Sequence, residues 1–261
     1  MALRQSSYYY RMRKRDESSL RRRILELAEE RRRFGQYRIY VMLRREGWRV
    51  NHKRVARIYR EEQLQVRRKR RKKMAAAARV RPPAPGRPNE RWSMDFVMDA
   101  LYSGRRIRAL TVVDDYTREC LAVEVDTGIG GLHVARVLDR LVEFHGRPSG
   151  ITVDNGPEFA GRALDAWAYR NKVRLDFIRP GKPVENCYIE SFNGRLRDEC
   201  LNGHEFMSLA QARNVIESWR QDYNTKRPHG SLGDLTPSEF ALREAQKLQQ
   251  NGPGTNQQLL Q

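Results

Sequence analysis

Apolar residues recur at helical spacing in two segments near the start of the chain. In residues 18–33 they fall every three to four positions, and Ser18 or Ser19 stands where an N-cap is favoured. Residues 36–46 repeat the pattern and are followed by Gly47, a residue type that commonly ends helices. The pattern therefore predicts two short helices in this part of the chain.

A third helix is predicted over residues 52–62, with Asn51 as its cap. Short helices joined by a glycine-containing turn in a basic setting are typical of a helix-turn-helix, so this is the candidate recognition helix. Its polar side would offer one imidazole and four cations to DNA: His52, Lys53, Arg54, Arg57 and Arg60. A basic helical hairpin that contacts only phosphates is the alternative to one that contacts bases.

From residue 91 the period of the pattern changes to two. Large apolar residues alternate with smaller or polar ones over residues 91–99, which predicts a β-strand. A second strand, 107–113, and a third, 119–125, are expected to complete an antiparallel meander. The pair Asp114-Asp115 closes the second strand and is expected to cap a turn.

Helical and strand patterns alternate after this meander. The expected elements are a helix 131–145, a strand 151–153, a helix 160–171, a strand 173–178 and a helix 184–200. Three antiparallel strands followed by alternating helices and strands predict an α/β fold in which helices cover both faces of a mixed sheet.

Charge is distributed unevenly along the 261 residues, whose formal net charge is +19. Residues 1–90 carry 29 Lys and Arg against 9 Asp and Glu, a net +20, whereas residues 91–261 carry 22 against 23. We therefore expect a polyanionic partner such as DNA to be held by the first third, with an affinity that falls steeply as salt rises.

Composition argues against two other classes of protein. The chain has no apolar run near the roughly eighteen residues that a membrane span requires. Its three cysteines contain no CxxC pair, so neither a disulfide framework nor a zinc ribbon is indicated. We expect the cysteines to be small buried residues in a reducing cytosol.

Three carboxylates stand where a phosphodiester displacement would need them. Asp95 lies mid-strand among large apolar residues, where a charge is costly unless it faces a metal or a partner. Asp154 lies where an apolar strand breaks into Asn-Gly-Pro, and Glu190 lies on the helix that follows. Such a triplet can hold two divalent ions about 4 Å apart. The spacing alone is weak evidence, because the chain has 32 Asp and Glu.

Glu190 belongs to a polar stripe on its helix. The stripe comprises Asn186, Glu190, Asn193 and Arg197, at i, i+4, i+7 and i+11. An apolar stripe runs along another side of the same helix. We therefore expect the helix to bury one side and to present a carboxylate, two amides and a guanidinium on the other. An ordinary solvated helix face is the alternative.

Three long motifs resemble those of the integrase-core transposases of insertion-sequence family 3, the OrfB type. They are DNGPEF at 154–159, GKPVENCYIESFNGRLRDECLN at 181–202 and YNTKRPHGSLGDLTPSEF at 223–240. The stretch from FGQYRIYVMLRREGW through NHKRVARIYREEQL also looks like the helix-turn-helix that precedes the core in that family. The resemblance covers the chain except its first dozen residues and its C-terminal tail.

The resemblance implies a ribonuclease-H-like fold and a DDE triad, which falls on Asp95, Asp154 and Glu190. Family members use Mg²⁺, for which Mn²⁺ is expected to substitute, to cut DNA at the ends of the element and to join the 3′-hydroxyl to target DNA. Arg197 matches the basic position that contacts terminal DNA. We expect three further residues to help position the DNA strand: Asn155, Lys182 and Asn193.

The basic run at 67–73 and the proline cluster at 82–88 predict a boundary between domains. We expect a helical DNA-binding domain over 1–75, a linker over 76–89, a catalytic core over 90–225 and a C-terminal extension over 226–261 whose end is disordered. A catalytically silent DNA-binding regulator and a nuclease that only hydrolyses DNA are the alternative functions.

The resemblance also implies the partners and the location of the protein. Double-stranded DNA is expected in two roles, as element end and as target, and two-ended chemistry favours a homo-multimer. In the family an upstream reading frame supplies a further helix-turn-helix and a leucine zipper, so a fusion or partnership with such a protein is possible. No membrane is involved, and the expected location is the cytoplasm of a bacterium, at its nucleoid.

Overall fold

The structure is a computed structural model, and it describes residues 16–66, 83–179 and 183–250. These residues form two compact units, one within 16–66 and the other within 83–250. Four parts of the chain lie outside the described residues: the basic run 67–73, the first half of the linker predicted at 76–89, Lys182 and the tail 251–261. The domain boundaries therefore stay a prediction.

The first unit is a bundle of three short helices: α1 (Ser18–Glu30), α2 (Gln36–Arg45) and α3 (His52–Glu61). Their apolar sides share one core: Leu20, Ile24, Leu27, Phe34, Ile39, Leu43, Val55, Ile58 and Tyr59. Gly47 follows α2 with φ +88°, a conformation that favours glycine. The Asn51 side chain accepts a hydrogen bond from the Lys53 N–H, which confirms the predicted cap of α3.

The predicted cap of α1 is wrong. The N-cap position is occupied by Glu17, and no side chain caps the helix there. Ser18 is already helical, and its N–H donates to Asp16 Oδ1 at 2.9 Å. The apolar spacing indicated the helix correctly, but two adjacent serines do not say which residue leaves the helical conformation. The helix also ends at Glu30, three residues before the predicted end.

The second unit is built on a five-stranded sheet in the order β3-β2-β1-β4-β5. The strands are β1 (Arg91–Ala100), β2 (Arg106–Asp114), β3 (Cys120–Asp126), β4 (Gly150–Val153) and β5 (Arg174–Phe177). The first three pair antiparallel, as predicted, and β4 and β5 run parallel to β1. The mixed sheet of the predicted α/β fold is therefore confirmed.

Helices cover both faces of this sheet. One face packs against α4 (Gly131–His145) and α5 (Arg162–Asn171), and Trp92 and Met94 of β1 point into that core. The opposite face packs against α6 (Cys187–Glu199) and α7 (Leu209–Thr225), with Val97 of β1 in that core. Because side chains alternate along a strand, Asp95 shares the face of Val97 and lies towards α6.

The helix predicted over 184–200 is shorter than expected. Residues Pro183–Asn186 form one 3₁₀ turn, and the α-helix begins only at Cys187. The predicted polar stripe is also divided, because Asn186 and Asn193 are buried while Glu190 and Arg197 are exposed. The two amides are buried, so the expectation that all four polar groups face outward is wrong.

The C-terminal part of the described chain is α8 (Pro237–Gln250). It is attached to the loop after β2 through Tyr116, whose hydroxyl donates to Glu244 at 2.8 Å and whose ring lies 5.5 Å from that of Phe240. No helix among the described residues is long and apolar enough to cross a membrane.

Candidate active site and DNA interface

Asp95 is the most constrained of the three predicted carboxylates. Its Oδ1 accepts the Phe96 N–H at 2.7 Å, and its Oδ2 accepts a hydrogen bond from Asn193 Nδ2 at 2.9 Å. Burial raises the pKa of Asp95 above its usual value, and the nearby charges of Asp154 and Glu190 raise it further, against these hydrogen bonds. The three carboxylates therefore share one electrostatic environment, although they come from distant parts of the sequence.

Asn193 connects the helix α6 to two strands. Its amide donates to Asp95 of β1, and its Oδ1 accepts from the Thr111 hydroxyl of β2 at 2.9 Å. Both Thr111 and Asn193 are buried. Sequence reasoning placed Asn193 on an outward-facing stripe, whereas the structure places it beneath Asp95. The polar Thr111 in an otherwise apolar strand was the available signal, because buried polar groups are normally paired.

Asp154 lies in the turn that follows β4. Its Oδ1 accepts the Gly156 N–H at 2.9 Å, so the chain folds tightly around the carboxylate. A Cβ at Gly156 would lie 2.9 Å from Asp154 Oδ1 and 3.3 Å from Glu158 Oε2. A side chain at this position would therefore displace the Asp154 carboxylate. Asn155 ties the same turn to the segment after β5, because its Nδ2 donates to the Ile178 carbonyl at 2.8 Å.

Glu158 is paired with Arg108 of β2. The two side chains form an ion pair, and the Arg108 guanidinium also lies 4.1 Å from the Phe96 ring centroid. The hydrogen bond from Arg108 lowers the pKa of Glu158 below its usual value. Glu158 is therefore ionised beside Asp154, and Arg108 compensates the extra negative charge.

Glu190 and Arg197 lie on the exposed side of α6, seven residues apart. Glu190 is in the first turn of the helix. The Arg197 side chain crosses to β1, where its Nη2 donates to the Met98 carbonyl at 3.1 Å. Both groups are open to solvent beside the strand that carries Asp95. Lys182, which was also predicted to contact DNA, lies outside the described residues.

The donor chemistry of the three carboxylates fits a hard divalent cation, because Mg²⁺ prefers carboxylate oxygens. Within the described ranges, however, no three acidic, histidine or cysteine side chains converge closely enough to hold a metal ion together. Asp95 is fixed by two hydrogen bonds, whereas Glu190 is exposed. The types of the three residues therefore fit a divalent cation.

The structure separates the cations predicted for α3 into two groups. Arg54 and Arg57 donate to Glu17 at 2.8 and 2.7 Å, and Arg57 also donates to Glu61 at 2.8 Å. These contacts join α3 to the chain at the start of α1.

Lys53 and Arg60 form the second group. Both are exposed and form no ion pair among the described residues. His52, also exposed, has its ring 6.1 Å from that of Tyr40.

A buried polar cluster was missed at the end of β2. Asp114 caps the turn as predicted, by accepting the N–H groups of Tyr116 and Thr117. Asp115 does not cap it: the side chain is 1% exposed and its Oδ2 accepts from Arg91 Nε at 2.6 Å. Burial raises the pKa of Asp115 to about 6, although Arg91 opposes the shift. Two adjacent aspartates cannot be told apart by residue type, and both are buried here, so only their partners in the fold distinguish them.

This sheet, covered by helices on both faces and carrying Asp95 at its centre, defines an integrase core of the ribonuclease-H-like fold. Models of the integrase core domain match residues 85–183 and 171–237, and a model of an HTH-like domain matches residues 14–72. Among solved structures, the chain is similar to one in the simian T-cell lymphotropic virus intasome with PP2A regulatory subunit B56 gamma. That match has a TM-score of 0.54 at 14% identity and covers 84% of this chain and 74% of the other. The likeness shows the fold.

Two curated relatives are much closer in sequence. The insertion element IS407 uncharacterized 31.7 kDa protein of Burkholderia multivorans is 57% identical over 221 residues, or 85% of this chain and 80% of the relative. The insertion element IS476 uncharacterized 39.2 kDa protein of Xanthomonas euvesicatoria is 50% identical over 223 residues, or 85% of this chain and 64% of the relative. The chain belongs to the integrase-core transposases of insertion-sequence family 3.

Proposed function

We propose that this transposase cuts DNA at the ends of an insertion element and joins the freed 3′-hydroxyl to target DNA, with Asp95, Asp154 and Glu190 as its catalytic and metal-binding residues. The observation that carries the proposal is the state of Asp95. A strand-borne, half-buried carboxylate whose pKa is raised by burial and by the charges of the other two carboxylates is a group that a bound cation would stabilise in its ionised form.

Each side chain has a distinct part in this proposal. Asp95 is the fixed ligand, because Asn193 and the Phe96 N–H hold its oxygens from two sides. Asp154 is the second ligand, held by the turn at Gly156. Glu190 approaches from the first turn of α6. Bound Mg²⁺, or Mn²⁺ in its place, would activate the attacking hydroxyl and stabilise the leaving 3′-oxygen.

Asn193 is a positioning residue in this scheme and not a direct DNA contact. Its amide oxygen is engaged by Thr111 and its amide nitrogen by Asp95. Arg197, on the exposed side of the same helix, and Asn155, on the turn beside Asp154, would meet the DNA strand that enters the site. Their exposure beside the carboxylates supports this role.

On the first unit, we propose that Lys53 and Arg60 contact DNA while Arg54 and Arg57 hold α3 to the start of α1. The guanidiniums of Arg54 and Arg57 are already paired with Glu17, so withdrawing them for DNA would break intramolecular ion pairs. Lys53 and Arg60 carry no such cost. Double-stranded DNA is thus the proposed partner of both units, and joining two ends favours a homo-multimer.

Joining of labelled element-end DNA to a target, in the presence of Mg²⁺, tests the catalytic proposal. We expect Asp154→Asn to abolish joining while Asp165→Asn, an exposed carboxylate in the first turn of α5, leaves it intact. Equal activity in wild type and Asp154→Asn would refute the metal-site assignment. A pre-cleaved end that is bound but never joined would instead indicate a nuclease, and binding without cleavage or joining would indicate a silent regulator.

A further inference from the structure

Tyr188 lies in the first turn of α6, two residues before Glu190. The guanidiniums of two arginines lie over its ring, Arg118 at 3.9 Å and Arg91 at 5.4 Å from the centroid. A cation within about 6 Å of an aromatic centroid is attracted to the ring face, and the attraction grows when water is excluded. The ring therefore binds the start of α6 to the sheet and to the turn after β2.

Both arginines also interact with Asp115, which helps to fix their positions beside the Tyr188 ring. Arg91 Nε donates to the buried Asp115 at 2.6 Å, and Asp115 is close enough to Arg118 for their charges to interact. Arg91 Nη2 and Arg118 Nη1 are buried and have no hydrogen-bond partner among the described residues. Since a buried cation needs compensation, the face of the Tyr188 ring matters more here than it would at a solvated site.

The position of Arg91 on β1 gives this contact its significance. Arg91 and Asp95 are four residues apart on one strand, so their side chains lie on the same face of the sheet. Asp95 is bonded to Asn193 of α6, and Arg91 contacts Tyr188 of the same helix. With the hydrogen bond from Arg197 to Met98, strand β1 therefore contacts α6 at three points, and Glu190 lies between Tyr188 and Asn193.

We infer that Tyr188, clamped by Arg91 and Arg118, is a positioning residue that sets where Glu190 stands relative to Asp95. The inference rests on the proposed function, because it concerns the third carboxylate of that site. The apolar side of α6 packs onto the sheet, and the hydrogen bonds of Asn193 and Arg197 to β1 lie further along the helix. The contact of the Tyr188 ring with the two arginines adds a restraint in the first turn, which carries Glu190.

The variants that test this inference separate the ring from its hydroxyl. Tyr188→Phe keeps the ring face, whereas Tyr188→Leu removes it and keeps an apolar side chain. Arg118→Met removes the closer cation and leaves the ring. Tyr169→Leu is the matched control, because Tyr169 is 88% exposed on α5.

The first measurement needs neither metal nor DNA. In the full-length protein, backbone hydrogen exchange in the peptide covering residues 187–196 should be about 10-fold faster in Tyr188→Leu and in Arg118→Met than in wild type. Tyr188→Phe and Tyr169→Leu should match wild type within about twofold. Exchange in α7 should be unchanged in all four variants, which shows that the fold is intact.

The second measurement is the Mg²⁺ concentration at half-maximal joining activity. Because a mispositioned Glu190 weakens metal binding, this concentration should rise about 10-fold in Tyr188→Leu and Arg118→Met and stay near wild type in Tyr188→Phe. The double variant Tyr188→Leu/Arg118→Met should be no worse than the more affected single variant, because both remove one contact.

Several results would overturn the inference. It fails if Tyr188→Leu exchanges and responds to Mg²⁺ as wild type does, if Tyr188→Phe is as impaired as Tyr188→Leu, or if the two single effects simply add. Should Tyr188→Leu not fold, Arg118→Met carries the same test. If Asp154→Asn abolishes joining while Tyr188→Leu changes nothing, only this inference is lost. If Asp154→Asn leaves joining intact, the proposed function is lost.

Discussion

At the scale of single residues, the site depends on groups whose surroundings the sequence does not show. Asp95 was identified by its type and its place in an apolar strand, and that prediction relied on the cost of burying a charge. The partner that meets this cost is Asn193, 98 residues away, which sequence reasoning assigned to the DNA-facing side. An amide is equally suited to a solvated face and to a buried network, so only its position on the folded helix distinguishes the two.

Gly156 allows a test of how closely Asp154 must be placed. In Gly156→Ala the new Cβ would lie 2.9 Å from Asp154 Oδ1, which is too close. Because this oxygen is at the end of a side chain, the carboxylate would move and the backbone would stay in place. We expect joining activity to fall about 10- to 100-fold with little loss of thermal stability. The control is Gly128→Ala, where a Cβ meets nothing within 4 Å. Equal activities in the two variants would contradict the role given to this turn.

Asp115 should make stability depend on pH in a direction unusual for an aspartate. Its pKa is raised to about 6 in the fold, chiefly by burial, so folding favours the protonated side chain. This contribution is fully present below about pH 4 and is lost as the pH rises through about 6, for a change of about 1–3 kcal/mol. Arg91, Arg118 and Ser93 face the carboxyl group and limit the shift.

Asp115→Asn removes the titration and keeps the size of the side chain. We expect the unfolding free energy of wild type, relative to this variant, to fall between about pH 4 and pH 7 in equilibrium urea unfolding. A difference that stays constant, or that grows with pH, would show that the Arg91 ion pair outweighs the cost of burial.

At the scale of secondary-structure elements, periodicity was a good guide to what forms and a poorer guide to where it begins. The three strands of the meander, the helix 131–145 and the helix α3 were predicted to within one residue at each end. Larger errors occurred at the cap and the end of α1, and at the starts of α5 and α6, which begin two and three residues later than predicted. A helix start depends on which backbone N–H groups find an acceptor, and that is settled by local geometry beyond residue type.

The starts of α1 and α3 in the first unit can be compared directly. Asn51→Ala removes the side chain that accepts the Lys53 N–H and should destabilise α3 by about 1 kcal/mol. Ser18→Ala removes no cap from α1 and should cost only a few tenths of a kcal/mol. Hydrogen exchange of the amides of each helix measures the difference. If Ser18→Ala lowered helix stability as much as Asn51→Ala does, Ser18 would have to be the N-cap of α1 after all.

At the scale of the whole molecule, the excess positive charge and the three predicted catalytic carboxylates lie in different parts of the chain. The first 90 residues carry a net +20, while residues 91–261, which include all three carboxylates, are nearly neutral. A nearly neutral core suits a site that must concentrate carboxylates around a cation. DNA affinity is then expected to come largely from the basic third, through contacts with phosphates.

Salt dependence tests this division in the full-length protein. The logarithm of DNA affinity should fall linearly with the logarithm of salt concentration, and Lys53→Ala/Arg60→Ala should reduce the slope by about 2, roughly one for each phosphate contact. Arg57→Ala is the matched contrast on the same helix. Because Arg57 is paired with Glu17 and Glu61, its loss should leave the slope unchanged and lower the stability of the first unit. If Arg57→Ala reduced the slope and Lys53→Ala/Arg60→Ala did not, Arg57 would be the DNA contact, and Lys53 and Arg60 would not be.

The sequence by itself determined the order of the elements, the mixed sheet and the concentration of positive charge in the first third, and it predicted the three carboxylates. These properties follow from period, residue type and count, which are local or additive along the chain. Only the tertiary structure decided that Asn193 lies beneath Asp95, that Asp115 is buried while Asp114 caps a turn, that Arg57 is paired, and that Tyr188 is clamped beside Glu190. Each of these depends on which distant residue lies opposite a side chain, and that pairing exists only once the sheet and its covering helices have packed.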